Sequence, residues 1–260
     1  MNAYRVRAAN LAPDSDNKIH DDEVARRFGF TGALVPGVEV FAYATYPFAQ
    51  AWGEEFLSRG VIDVRFSKPV YDGDDVDVVT EPLDGGRYGL SVVGPDGVVR
   101  ATGHAGLAES AVAPAVETFG SSAQPETPPV ADERSLATGT RLATVVEPAD
   151  RDKHALYCKG VGDDLALYER LVHPGALLRV VNAVLHRNVR MGPWIHTSSA
   201  VRFLGPAPVP STLIGRGVVT DRYEKNGRSW VRFDALVLAD DEPVMAVDHL
   251  AIYDLGDPGA

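Results

Sequence analysis

The sequence has 260 residues, of which 45% are hydrophobic and 23% charged, which is ordinary globular usage and excludes wholesale disorder and fibrous structure. With 36 acidic residues against 25 basic ones, the net charge is −11, which predicts no binding to nucleic acid or to an anionic membrane surface. The single cysteine excludes an internal disulfide.

The first residues lack the apolar core of a secretory signal, and the chain contains no run of about 18 uncharged apolar residues. We therefore expect a cytoplasmic protein without a transmembrane helix.

The first half of the chain predicts a strand, then a helix, then several more strands. A strand is expected at residues 4–8, before an irregular polar segment. Residues 37–52 are mostly apolar and predict a helix buried on most of its circumference, with Pro47 expected to kink it or to end its first segment. Four stretches rich in β-branched and aromatic residues follow, separated by turn sequences: VIDVRFSKPV, DDVDVVTEPL, YGLSVVG and VVRATGHAGL.

Residues 111–139 differ from the rest in composition, because they are rich in Pro, Ser, Thr, Ala and Glu and have no sustained helical or strand period. Such a segment is typical of a linker that runs over the surface. It would divide the chain into an N-terminal domain of residues 1–110 and a C-terminal domain of residues 140–260.

The second half repeats the order of the first, with a strand expected at 141–146, a helix at 175–188 and four extended stretches after it. Three short matches relate the halves at offsets of 138, 137 and 145 residues: VPG with HPG, VRF with VRF, and ATGH with AVDH. Three matches in order indicate an internal duplication. An apolar helix is best buried when a sheet curls around it, so the sequence predicts an α+β double hot-dog fold, with two tandem antiparallel sheets, each around a central helix, pairing into one layer.

A polar loop with several reactive groups precedes the first central helix. Its carboxylates, amide and imidazole come from Asp14, Asp16, Asn17 and His20. A short helix should follow, with Asp21 or Asp22 as its cap. The unpaired amide N–H groups at the start of the helix beginning at Gly37 would suit a carbonyl oxygen that becomes negative during a reaction.

This region resembles the MaoC-like family of (R)-specific enoyl-CoA hydratases and dehydratases, whose signature is Asp-x-Asn-Pro-x-His, a short helix, and a His-Gly pair that opens the central helix. Residues 64–74, VRFSKPVYDGD, are also similar to a strand of that family. The positions that fall on the signature are Asn17, Ile19, His20, Asp22, Ala25, Gly29, Phe30 and Gly37. The chain departs from it at Ser15, where the family has its catalytic aspartate, at Lys18 and at Pro36.

The resemblance implies hydration of a 2-enoyl thioester, or dehydration of a 3-hydroxyacyl thioester, carried by CoA or by an acyl carrier protein. His20 with either Asp14 or Asp16 would hold and deprotonate the water, and Asn17 would fix the loop or the water. The N–H of Gly37 would hold the thioester carbonyl oxygen. Taken alone, the two aspartates are more typical of a solvated loop than of catalysis, and Asn17 is equally typical of an Asx turn.

The residues expected to bind substrate are Pro36, Tyr43, Trp194 and His196. Tyr43 is more typical of the core or of a pocket wall, and His196 is more typical of a hydrogen-bonded histidine at a strand start. No nucleotide-binding motif and no convincing zinc spacing is present in the sequence, which predicts no metal and no cofactor.

Three alternative functions stay open at the level of sequence. They are thioester hydrolysis, dehydration or cyclisation of a specialised metabolite, and acyl-CoA binding without catalysis. The expected partner in each case is a small acyl thioester rather than a nucleic acid or a membrane. A monomer and a homodimer are both compatible with a duplicated chain.

Overall fold

The fold is built on one continuous antiparallel sheet, seen in a computed structural model that describes residues 1, 3–12 and 15–256. The strands are β1 (Tyr4–Arg7), β2 (Gly60–Phe66), β3 (Asp75–Pro82), β4 (Tyr88–Val93), β5 (Val99–Leu107), β6 (Arg141–Ala149), β7 (Ile195–Phe203), β8 (Ser211–Lys225), β9 (Arg228–Ala239) and β10 (Glu242–Asp254).

The strand order reveals the duplication. Across the sheet it is β1-β3-β4-β5-β2 in the first half, followed by β7-β10-β9-β8-β6 in the second. Read from the outer edge of the sheet to the junction, each half therefore arranges its strands in the order first, third, fourth, fifth, second. The halves join where β2 pairs antiparallel with β7, as in the register of Ile62 with Val201 and Val64 with Ser199. The predicted pairing of the two sheets into one layer is confirmed.

Two central helices lie against the sheet and against each other. The helices are α1 (Asp22–Arg27), α2 (Gly37–Trp52), α3 (Glu54–Arg59), α4 (Arg151–Gly160) and α5 (Pro174–His186). Eleven of the 16 residues of α2 are buried, as expected for a helix wrapped by a sheet. Helix α2 continues through Pro47 to Trp52, so the proline does not end it. None of the described helices is both long and apolar enough to cross a membrane.

Residues close in sequence determine where these helices begin. Asp21 caps α1, its carboxylate accepting hydrogen bonds from the N–H groups of Glu23 and Val24, both at 3.0 Å. Helix α5 begins one residue earlier than predicted, with Pro174 in its first turn, where a missing N–H costs nothing.

The segment 111–139 contains no strand and only a single turn of 3-10 helix, at Val116–Thr118. It is anchored rather than loosely draped, because Phe119 and Leu136 are buried. The N–H of Ala131 also donates to the carbonyl of Arg190 at 2.9 Å. The division of the chain at residues 110 and 140 stays a prediction.

Candidate active site

Asn17 fixes the polar loop to the second half of the chain. Its Oδ1 accepts a hydrogen bond from the N–H of Trp194 at 3.1 Å, and its Nδ2 donates to the carbonyl of Trp194 at 3.0 Å. Asn17 is buried and also caps a one-turn 3-10 helix at Lys18–His20. The loop is therefore positioned by a contact between residues 177 positions apart in sequence.

His20, at the end of this turn, is held in one tautomer by the backbone. Its Nδ1 lies 2.7 Å from the carbonyl oxygen of Leu34, and since a carbonyl can only accept, Nδ1 carries the proton. Nε2 of the neutral ring then accepts from Asn17 Nδ2 at 3.3 Å. Burial lowers the pKa of His20, and the nearby Arg179 guanidinium lowers it further, against the opposing effect of the Leu34 hydrogen bond. The ring is therefore a neutral imidazole whose Nε2 is basic.

The start of α2 is open, in the sense that no side chain among the described residues caps its first backbone N–H groups. Pro36 precedes it and provides no side-chain cap, while the carbonyl of Pro36 accepts from Glu39 and Val40. No partner in the described part of the chain accepts from the N–H groups of Gly37 and Val38. These amides carry the positive end of the helix dipole.

The start of α5, which corresponds to it in the repeat, is closed. His173 Nδ1 accepts from the N–H of Gly175 at 2.9 Å, and Nε2 of the same ring lies 3.1 Å from Asp163 Oδ2. Both side chains are buried. Of the two central helices, α2 therefore has an open start at Gly37 and α5 has a capped one.

His196 packs against this open start. A Cβ at residue 37 would lie 2.8 Å from His196 Nδ1, so only glycine fits there. His196 Nε2 lies 2.8 Å from Ser199 Oγ, which lies 3.0 Å from His249 Nδ1. Burial lowers the pKa of His196, and it lowers that of His249 to about 3, so both rings are neutral. The repeat matches in the sequence singled out His249 only as a strand residue and gave no sign of this chain of hydrogen bonds.

The structure does not bring Asp16 to His20. Asp16 is exposed, and it acts electrostatically on His186 rather than on His20. Asn17 takes the place beside the His20 ring, because the amide is fixed to Trp194 while the carboxylate next to it faces solvent. Asp14 lies outside the described residues. Within the described ranges, His20 forms no ion pair with a carboxylate.

Two cavities meet at His20. One has a volume of about 850 Å³ and is called here the larger cavity, and the other, of about 550 Å³, is called the cationic cavity. The residues that line both are Asn17, His20, Pro36, Asn182 and Trp194. The substrate-binding predictions for Pro36 and Trp194 thus fall on residues at the junction.

Among the other predicted residues, Gly37 and His196 line the cationic cavity. Tyr43 lines neither cavity. It is buried in the core, and its hydroxyl accepts from the N–H of Ala9 at 3.0 Å, so the structure gives it a packing role in place of substrate binding.

The cationic cavity carries charge of one sign. Its basic side chains are Arg65, Lys68, Lys225 and Arg228. No Asp or Glu is among the residues that line it, although the protein has a net charge of −11. Tyr223 and Trp230, from adjacent strands, stack beside these cations with ring centroids 5.9 Å apart.

No family model and no curated protein matches the chain in sequence. Solved structures do match over nearly its whole length. Rv0216 from Mycobacterium tuberculosis, described as having a double hot-dog fold, aligns with a TM-score of 0.68 at 14% identity, over 96% of this chain and 95% of that one. The chain has a double hot-dog fold.

Two further structures that match over nearly the whole chain differ in the activity suggested for them. A MaoC-like dehydratase aligns with a TM-score of 0.62 at 14% identity, over 97% of each chain. A protein from Lactobacillus plantarum, for which oleoyl thioesterase activity has been suggested, aligns with a TM-score of 0.55 at 12% identity, over 96% of this chain and 95% of that one. At such identities the likeness establishes the shared fold.

In this double hot-dog fold, an ion pair between a buried carboxylate and a partly exposed guanidinium joins the two central helices beside the larger cavity. Glu39 of α2 accepts from Arg179 Nε of α5 at 2.7 Å, and Arg179 Nη2 also contacts the same carboxylate. Glu39 is fully buried, and burial raises its pKa while the guanidinium opposes that rise. The sequence gives no local sign of this pair, because its partners are 140 residues apart and Glu39 stands within an apolar run.

Proposed function

We propose that this protein is a hydratase or dehydratase of acyl thioesters. Two observations support the proposal: a fold similar to that of a MaoC-like dehydratase, and an unprotonated imidazole nitrogen of a residue that lines the same cavity as the open start of α2. The observation that carries it is the hydrogen bond from His20 Nδ1 to Leu34, since this bond leaves Nε2 free of a proton at the junction of the two cavities.

The chemistry follows from these groups. The thioester carbonyl oxygen lies against the N–H of Gly37, which stabilises the negative charge of the enolate. His20 Nε2 exchanges its 3.3 Å hydrogen bond from Asn17 for one from water, and takes the water's proton as the hydroxide oxygen bonds to C3 of the enoyl group. The imidazolium then returns that proton to C2, so that one water is added in total. Dehydration of a 3-hydroxyacyl thioester runs through the same steps in reverse, and Asn17 orients the ring.

In this proposal the carrier of the acyl group lies in the cationic cavity. Four basic residues without a carboxylate among the lining residues favour a ligand with several phosphates. The stacked pair of Tyr223 and Trp230 offers an aromatic surface for a base. CoA combines both features, and the larger cavity is then left for the acyl group.

Thioester hydrolysis is the second candidate. Its support is that no described carboxylate accompanies His20, together with the activity suggested for one of the similar structures. A single imidazole is enough to deprotonate a water that attacks the thioester carbonyl carbon, whereas the family signature pairs the imidazole with an acid.

One assay with two readouts separates these reactions. The protein is incubated with 2-enoyl-CoA thioesters of several chain lengths, while the ultraviolet absorbance of the conjugated thioester and the release of free thiol are followed together. Hydration removes the absorbance without releasing thiol, and this is the expected result. Thiol release in step with thioester loss would identify hydrolysis, and no change in either readout across the panel would contradict both candidates.

A further inference from the structure

We propose that the larger cavity selects an acyl group that carries neutral oxygen substituents, such as hydroxyl or keto groups beyond C3, and that Arg179 binds these oxygens. The inference rests on the proposed function, in which the thioester lies at the junction of the cavities and its carrier lies in the cationic one. The acyl group must then extend into the other space that opens from His20.

A cavity for a plain alkyl chain would be lined by apolar side chains. This one instead contains the ion pair of Glu39 and Arg179. Burying the Glu39 carboxylate is expensive, and apolar residues of similar volume often stabilise a protein at least as well as an ion pair does. Because the pair lines a cavity of about 850 Å³ beside the proposed base, we attribute its presence to ligand recognition rather than to stability.

Arg179 has hydrogen-bond donors that its partners in the protein do not use. Its Nε and Nη2 contact Glu39, and Nη2 is also 3.5 Å from the carbonyl of Leu11. Its Nη1 makes no hydrogen bond within the described part of the chain, and its side chain is 37% exposed. The guanidinium carbon lies 4.7 Å from the centre of the Tyr157 ring, which holds the group in place. The N–H groups of Nη1 are thus fixed donors for a ligand oxygen.

The charges around the cavity favour a neutral oxygen over a carboxylate. Glu39 already neutralises Arg179, and Glu147 pairs with Arg187 in the same wall. The basic and acidic residues that line the cavity balance four against four: Lys153, Arg179, Arg187 and Arg190 against Asp16, Glu39, Glu147 and Asp150. Without an excess of positive charge, the site gains little from an anionic acyl group.

The test compares two enoyl-CoA thioesters of equal chain length, one plain and one with a distal keto group. Wild type should have a kcat/KM about tenfold or more higher for the keto substrate, as expected for a hydrogen bond to a charged donor. The double variant Glu39→Leu with Arg179→Leu should lose or reverse this preference. Wild type that turns over the plain chain as well as the keto chain, or a double variant that keeps the wild-type ratio, would overturn the inference.

Two further variants distinguish a loss of substrate preference from a folding defect. Arg179→Lys keeps a cation beside Glu39 but lacks Nη1, and it should lose the preference while remaining folded. Arg5→Leu with Asp77→Leu removes an ion pair on the exposed edge of the sheet, between β1 and β3, and should keep the wild-type ratio.

Failure of the proposed function can be told apart from failure of this inference by binding. If no thioester is turned over, calorimetry with saturated acyl-CoA and its keto analogue still reports the preference. Affinity about tenfold higher for the keto ligand, lost in Arg179→Lys, would uphold the acyl-group assignment without the reaction. Equal affinities would refute it.

Discussion

His196 lies so close to Gly37 that a Cβ at residue 37 would be 2.8 Å from its Nδ1. The ring has no room to retreat, because it is buried, bonded to Ser199 and stacked on His249 with centroids 4.2 Å apart. Glycine at this position therefore allows the close approach of the His196 ring to the start of α2.

The variant Gly37→Ala should separate the ring from the helix and disturb the carbonyl site. We expect a loss of stability of about 1–3 kcal/mol from overpacking, and a loss of kcat of up to about 10²–10³-fold if the amide no longer meets the carbonyl oxygen. Thermal unfolding and enoyl-CoA turnover measure the two effects. Gly205→Ala is the control, since its nearest contact, to Pro243, would be at an ordinary 3.7 Å. Unchanged turnover in Gly37→Ala would contradict a role for this helix start.

The chain contains two asparagines that bind a distant backbone in the same way. Asn17 binds both polar groups of Trp194, and Asn188 binds both polar groups of Ala143, accepting at 2.6 Å and donating at 2.9 Å. Substitution of either by Ala leaves buried backbone groups unpaired and should cost about 1–3 kcal/mol in the free energy of unfolding.

Only Asn17 also touches His20. Asn17→Ala should therefore reduce kcat well below the wild-type value at a temperature where both variants are folded, whereas Asn188→Ala should reduce stability alone. Denaturant unfolding and turnover, measured on the same preparations, distinguish the two. Equal effects of both substitutions on kcat would mean that Asn17 acts only through stability.

The basic residues of the cationic cavity should matter only for a substrate with phosphates. Replacement of Arg65, Lys68, Lys225 and Arg228 by Ala should raise the KM for an acyl-CoA roughly tenfold or more, because each exposed ion pair contributes up to about 1 kcal/mol. The KM for the matching N-acetylcysteamine thioester, which has no phosphate, should not change. A parallel rise for both substrates would contradict the placement of CoA.

The local parts of this architecture could be predicted from the sequence, because they depend on short-range patterns. The bounds of α2, a cap at Asp21 or Asp22 and the repeated order of helix and strands along the chain follow from apolar periodicity, capping chemistry and turn sequences. The double hot-dog class follows from the need to bury two apolar helices.

The contacts within the candidate site could not be predicted in this way. Asn17 rather than Asp16 meets His20, because the loop is held by Trp194 from the other half of the chain. The pairing of Glu39 with Arg179 likewise depends on how two distant helices pack. These contacts depend on tertiary structure, which a local sequence motif does not specify.

The pH dependence of kcat/KM should report the environment of His20. Burial disfavours the imidazolium and lowers the pKa of the ring from its ordinary value of 6.5. A base must be unprotonated, so activity should be constant around neutral pH and fall only when the pH drops below this lowered pKa. A pH profile of kcat/KM measures the acid limb, and a midpoint above 6.5 would contradict the assignment of His20 as the base.

The central claim is that one imidazole moves the proton, and substitution of that imidazole tests it most directly. His20→Ala should lower kcat/KM for an enoyl-CoA by about 10²–10⁴-fold, the usual contribution of a general base. His104→Ala is the matched control, since that ring pairs with Asp63 at 2.6 Å and lines neither cavity at the site. Retained activity in His104→Ala with loss in His20→Ala is the predicted result, and wild-type turnover by His20→Ala would contradict the account.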